Sequence, residues 1–311
     1  GLSLPCAYIN GKFMFLPDEL EPMSCKTFKL IEGECIYSPV EAETNYIENA
    51  VLRVELNENG NITSVYDKLN ERESIDGRGN ILTVSLDKCI HETAWNLELN
   101  YLKKMWELKA ESIEVVESNA VRGVIRATYK FNKSTITQDV ILYQNGESVV
   151  FDTTVDWHED HVLLKAAFPF DIRANHAKYE IQFGHVERPT HYNTSWDEAK
   201  FEVSAHKWAD LSDNSFGLSI LNDCKYGCDV KDGHIRPTLF RCATNPNTIQ
   251  DREFHSFTFS IYPHTNHVSS SEVVKEAFNV NYPAYAVFAK ANNGELPSVY
   301  SFVSGNKENI E

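Results

Sequence analysis

Several absences narrow the reading of this 311-residue chain before any motif is considered. No stretch approaches the roughly 18 uninterrupted apolar residues of a membrane-crossing helix. The opening Gly1-Leu2-Ser3-Leu4-Pro5-Cys6 has neither the basic start nor the apolar centre of a secretory signal. A soluble, cytoplasmic protein with no membrane partner is therefore expected. There is no Lys/Arg-rich run either. With 45 acidic against 29 basic side chains, the net charge of −16 repels polyanions and argues against nucleic acid as a partner. The seven cysteines are odd in number and irregularly spaced, and Cys224 and Cys228 stand three residues apart rather than the two usual in redox or zinc hooks. Reduced thiols are the expectation. The Asn-x-Ser/Thr triplets at Asn61, Asn132 and Asn193 then carry little meaning for glycosylation. Internal repeats and low-complexity tracts are also missing.

What the chain does have is apolar mass laid out with a period of two. A 42% hydrophobic fraction with 17 Phe, 14 Tyr and 5 Trp fills a substantial core without disulfides. Gly123, Ile125, Ala127, Tyr129 and Phe131 share one strand face, and Val149, Phe151, Thr153, Val155 and Trp157 repeat the pattern. Hairpins are predicted at Asn10-Gly11, at Asn57-Glu58-Asn59-Gly60 and at Gln144-Asn145-Gly146-Glu147, where Asn-Gly offers the positive φ of a tight turn. Later strands are read at Phe216–Leu221 and Phe257–Ile261. One helix is predicted, from about Ser270 to Phe278, with Ser269 and Glu272 spaced as a capping box. Many strands at a spacing of about 8–12 residues and almost no helix indicate an all-β fold, a large antiparallel two-layer sandwich. Residues 46–290 are expected to form it, with 1–45 a small leading β segment and 291–311 the start of a further segment cut short.

The region from Tyr179 to Lys225 is rich in side chains suited to a sugar-handling surface. Arg188, Asn193 and Asp197 can bond paired hydroxyls, and Trp196 and Trp208 offer flat apolar faces. A loop held by its own side chains is the competing reading. Asp223 and Lys225 close a strand before Gly227, where they could face a ligand or pair on the surface. His158-Glu159-Asp160-His161 carries the chain's sole His-x-Asp triplet, so His158, Asp160 and His161 are weak metal candidates against a plain polar turn. No βα segment is found to carry a pair of catalytic carboxylates, and no catalytic residue is assigned.

Glu187 to Asp197, Leu221 to Gly227, Glu48-Asn49 through Asp67-Lys68, Asp156-Trp157 to Pro169 and Leu296 to Ser304 together resemble the carboxy-terminal β module of glycoside hydrolase family 38 α-mannosidases, in their cytosolic-type or bacterial branch. The resemblance implies a supersandwich like that of galactose mutarotases. It also implies a partner, an amino-terminal catalytic domain performing retaining hydrolysis with a divalent metal such as zinc, while this chain binds no cofactor itself. It places Trp95 next to that domain, although Ala94-Trp95-Asn96 departs from the Ala-Trp-Asp often found there. It makes Arg241, closing the run Pro237–Phe240, a contributor to the mannose pocket. The chain is expected to be an inactive module with carbohydrate as a ligand, and association with further copies of itself stays open. Two rivals are a freestanding lectin-like module using Trp95, Trp196 or Trp208, and a mutarotase-like aldose epimerase using His185 and Glu187, which needs an acid and a base converging on one face.

Overall fold

The computed structural model describes residues 3–18, 20–265, 272–290 and 294–303. Every strand pairing in it is antiparallel, as the alternating pattern requires. The largest sheet has nine strands in the order Ala110–Ser118, Arg122–Phe131, Ser134–Tyr143, Val149–Asp156, Phe254–Thr265, Phe216–Asn222, Trp208–Ser212, His176–Ile181 and Gly184–Pro189. A six-stranded sheet runs Met105–Glu107, Ile81–Leu86, Val162–Pro169, His234–Arg241, Gly227–Lys231 and Val203–Ser204, and a five-stranded sheet covers Glu41–Glu43 to Arg72–Glu73.

One core joins the three sheets. Phe151 of the large sheet stacks on Phe259 beside it (centroids 4.8 Å apart) and meets Phe168 of the six-stranded sheet at 5.6 Å. Trp157 reaches Phe240 across the same gap. On the five-stranded side, Tyr129 Oη donates to the Gly60 carbonyl, and Gly123 lies so close to Val40 and Ile47 that an added Cβ would collide with both. Alternation along Arg122–Phe131 thus needs a glycine at one inward position. The motif Glu48-Asn49…Asp67-Lys68 is the joint. Asn49 Oδ1 accepts from the Val51 and Leu52 amides, while its Nδ2 donates to the Tyr143 and Gly146 carbonyls. Lys68 clamps the Asn49 carbonyl and Glu48.

The hairpins at Asn10-Gly11 and Asn57–Gly60 form as read, with Asn10, Gly11 and Gly60 in the left-handed region. The third differs. Gln144–Ser148 form a five-residue connection in which neither Asn145 nor Gly146 takes positive φ, because Asn49 ties that turn from outside. The late helix covers Val273–Asn281 and buries Val273 and Ala277 on Trp208, Leu221 and Tyr262. Its N-cap is Glu272, with no side-chain cap, and Ser269 lies outside the described residues. Trp208 is thereby covered and cannot serve as a sugar platform.

The flanks also pair. Glu41–Glu43 bonds to Tyr46–Glu48 across position 45, and Ser24–Lys26 pairs with Val299–Ser301 from the far end of the chain. None of the helices among the described residues is long and apolar enough to cross a membrane.

Because Phe151 sits where two sheets interlock, Phe151→Ala is expected to cost about 3–5 kcal/mol of unfolding free energy in a urea titration. Val150→Ala, one step along the same strand and only half-buried, should cost far less.

Candidate functional site

A β-bulge aims the first cluster of candidate residues. Strand His234–Arg241 pairs with Val162–Pro169 through Thr238↔Lys165, Phe240↔Leu164 and Arg241↔Leu163, which leaves Leu239 as an extra residue. Leu239 and Phe240 both enter the core, so Arg241 emerges on the same outward face as Thr238. There Arg241 Nε donates to Asp87 Oδ2 at 2.5 Å, and its Nη2 donates to the Asn96 carbonyl. The Ala94-Trp95-Asn96 turn is thus pinned by Arg241 on one side and by Thr93 and Ala94 bonding to Thr244 and Asn245 on the other. Trp95 projects from it, 69% exposed. The exposed Asn96 side chain donates to the His91 carbonyl, a bond within its own loop.

Arg241 also borders a cavity of about 220 Å³ lined by Lys225, Tyr226, Thr238, Phe240 and His255. Lys225 holds its ammonium over Phe257 and Phe240, at 4.6 and 5.5 Å from the ring centres, instead of pairing with Asp223. Asp223 is fixed from behind, accepting from the Thr258 amide at 3.0 Å. Arg241 therefore stands at one end of the six-stranded sheet between the turn that carries Trp95, whose backbone it holds, and the Lys225–Tyr226 wall of the cavity.

The other candidates group elsewhere. Thr194 caps a short helix, Ser195–Glu198, in a capping box: Thr194 Oγ1 accepts from the Asp197 amide, and Asp197 Oδ2 accepts from the Thr194 amide and hydroxyl. Asp197 is thus occupied locally. The reading as a simple loop missed this helix, although the Thr-x-x-Asp spacing signals it. Trp196 stands on the helix, 80% exposed, beside exposed Asn193. The Arg188 guanidinium stacks over Tyr179, 4.8 Å from the ring centre.

The His-x-Asp turn does not assemble a metal site. His158 pairs with Asp156 at 2.8 Å, Asp160 is gripped on both oxygens by Arg252, and His161 faces Thr244. Glu159 instead caps the Asn132–Ser134 turn. Among the described residues no cluster of three or more His, Cys, Asp or Glu has metal-binding geometry. His185 and Glu187 share a face of the edge strand Gly184–Pro189, where His185 rests near Trp208.

A profile of the glycosyl hydrolases family 38 C-terminal domain matches residues 47–248, which is most of the chain. The chain belongs to this family. α-Mannosidase G of Dictyostelium discoideum is 40% identical over 275 residues, covering 85% of this chain and 25% of that protein. Human α-mannosidase 2C1 is 37% identical over 246 residues, covering 78% and 24%. The chain therefore spans about a quarter of these curated relatives. The crystal structure of an α-mannosidase from Enterococcus faecalis V583 superposes with a TM-score of 0.72 over 88% of this chain and 34% of that one, at 17% identity, and shares the fold.

Between the two clusters, this family 38 module buries a charge network. Lys165, almost fully enclosed, contacts Glu202 at 2.5 Å and Asp229 at 2.8 Å. Arg236 holds Asp229, and Thr238 bonds Glu202. Tyr101 lies over the ammonium, 6.0 Å from ring centre to Nζ. Burial pushes Asp229 up, but Lys165 and Arg236 outweigh it and leave the carboxyl below its ordinary value. Its stabilising effect is present above the usual aspartate range and fades as the pH falls through the lowered value. For Glu202 burial prevails over Lys165, so that carboxyl is raised, and acidification through the raised value relieves it. Lys165→Met leaves Glu202 enclosed without a cation and Asp229 with Arg236 alone. It is expected to cost about 3–5 kcal/mol at neutral pH, with a deficit that shrinks on acidification in pH-resolved urea titrations. A deficit constant with pH would show that packing alone is lost.

Proposed function

We propose that this chain is the non-catalytic C-terminal sandwich of a cytoplasmic α-mannosidase, buttressing a catalytic portion that precedes it and lending side chains to its pocket. The observation that carries this reading is that Arg241 joins the turn bearing exposed Trp95 to the cavity walled by Lys225 and Tyr226, in a chain that spans a quarter of relatives named α-mannosidases. Retaining hydrolysis requires two carboxyls about 5 Å apart, one to attack the anomeric carbon and one to protonate the leaving oxygen. The acids of this cluster have other work: Asp87 is bound to Arg241 and Asp223 to the sheet. On this reading the carboxyl pair and the divalent metal belong to the preceding portion, and residues 46–290 are the supporting sandwich.

Uncovered apolar side chains support the same view. Met23 and Ile31 in the leading segment, and Tyr285, Val287, Phe288 and Phe302 near the other end, are more than half exposed. A docked portion that covered them would remove this apolar surface from water. Carbohydrate, mannose metabolism and self-association all enter through that larger assembly.

The purified chain is expected to give no turnover of a nitrophenyl α-mannoside, with or without added zinc or cobalt. Turnover abolished by chelator would overturn the reading. Titration with methyl α-mannoside should show no saturable binding. Millimolar or tighter binding, lost in Trp95→Ala or Trp196→Ala, would favour the freestanding lectin-like module.

A further inference from the structure

We propose that Asn281 and Asn222 are positioning residues, through which the helix Val273–Asn281 sets the place of Lys225 and Tyr226 on the cavity wall. The proposal rests on the reading of that cavity as part of a sugar pocket. Asn281 is the last residue of the helix, and its side-chain amide donates in two directions. One bond goes to the Ala277 carbonyl of its own last turn at 2.8 Å, the other to the Asn222 carbonyl at 2.9 Å. Asn222 ends the strand Phe216–Asn222 and is buried. Its backbone N–H donates to the Lys207 carbonyl and its Nδ2 to the His206 carbonyl at 2.7 Å, while its Oδ1 accepts from the Lys225 amide at 2.8 Å. Each polar group of Asn222 thus has a partner, and the partners belong to three separate pieces of structure: the helix, the segment leading into Trp208, and the pocket turn.

The helix has a second hold on the same joint. The Lys207 ammonium lies over the Phe278 ring, 4.6 Å from its centre, and pairs with Glu180 at 2.6 Å. His206 and Lys207 supply the two carbonyls on which Asn222 hangs, so both routes from the helix converge on one residue. Beyond Asn222 the turn is fixed by near neighbours. Asp223 exchanges bonds with the Thr258 backbone, and the Tyr226 carbonyl accepts from the Ala205 amide at 2.8 Å, with the Tyr226 ring 5.2 Å from that of His206. The Lys225 amide is tied to Asn222 instead. The helix packs on strands of the nine-stranded sheet, whereas Thr238 to Arg241 on the cavity wall belong to the six-stranded sheet. Asn222 carries the position of the one to the other. Neither Asn222 nor Asn281 lines the cavity, so their effect on a bound sugar is exerted through the placement of Lys225 and Tyr226.

Asn281→Ala removes the donor, and Asn281→Asp removes it while keeping the shape. In this chain alone, hydrogen exchange followed by NMR should show the Lys225 amide exchanging about tenfold faster in both variants, the change that loss of one hydrogen bond allows. The Ser219 and Ile220 amides of the same strand should not move. Val280→Ala, which trims the packing beside Asn281 and leaves both asparagines intact, should leave the Lys225 amide as it is. An unchanged Lys225 amide in the Asn281 variants, or an equal effect of Val280→Ala, would overturn the proposal whatever the chain's function. In an α-mannosidase that contains this chain, both Asn281 variants should lower kcat/KM about tenfold, chiefly through a raised KM, because the wall contacts a sugar before and during reaction. Unchanged kinetics there, with Tyr226→Ala impaired, would overturn the proposal and leave the pocket reading standing. Unchanged kinetics in Tyr226→Ala as well would sink both. Circular dichroism checks that each variant folds, and should one Asn281 variant fail, the other decides.

Discussion

The enclosed ammonium of Lys165 is the constraint around which the outward face of the six-stranded sheet is arranged. A charge in that position demands partners, and each partner brings a piece of structure with it. Glu202 arrives at the end of the segment that carries Trp196 and Asp197, and binds it to the sheet. Asp229 fixes Arg236 on the neighbouring strand, and Tyr101 brings its short helix over the top. The side chains between the two candidate clusters are therefore consumed in holding the face together. The end beyond the bulge is different, because the extra residue Leu239 turns Arg241 outward to hold the Trp95 turn.

Alternation along Arg122–Phe131, Ser134–Tyr143 and Val149–Asp156 was enough to give the antiparallel sandwich, since each strand buries one face against a shared core. The resemblance to family 38 was legible in short motifs, and two of those motifs prove architectural: Asn49 bonds the sheets together, and Asp160 is held by Arg252. The site was less legible. Asp197 suits either a sugar ligand or a bond within its own loop, and its pairing with Thr194 is the second of these, while Trp208 looked like a platform because the helix Val273–Asn281 that covers it comes from far along the chain. The Lys165 network went unseen altogether. Its members lie on separate strands and carry no local spacing signal, so only the fold brings them together.

The bulge and the charge network make one rigid surface from parts that the sequence scatters between Asp87 and His255. This rigidity suits a supporting role. Side chains lent to another domain's pocket must be held in place by their own module first, and Arg241 is so held, with Asp87 and the Asn96 carbonyl leaving little freedom to its guanidinium.

The central claim is that this face is completed by a further portion of a longer protein. The most direct measurement is hydrogen–deuterium exchange of residues 87–98, 222–226 and 238–241 in this chain alone and in an α-mannosidase that contains it. Stronger protection of these backbones in the longer protein, with the sandwich core unchanged, is the predicted result. Equal exchange in both would mean that nothing docks there and would contradict the account.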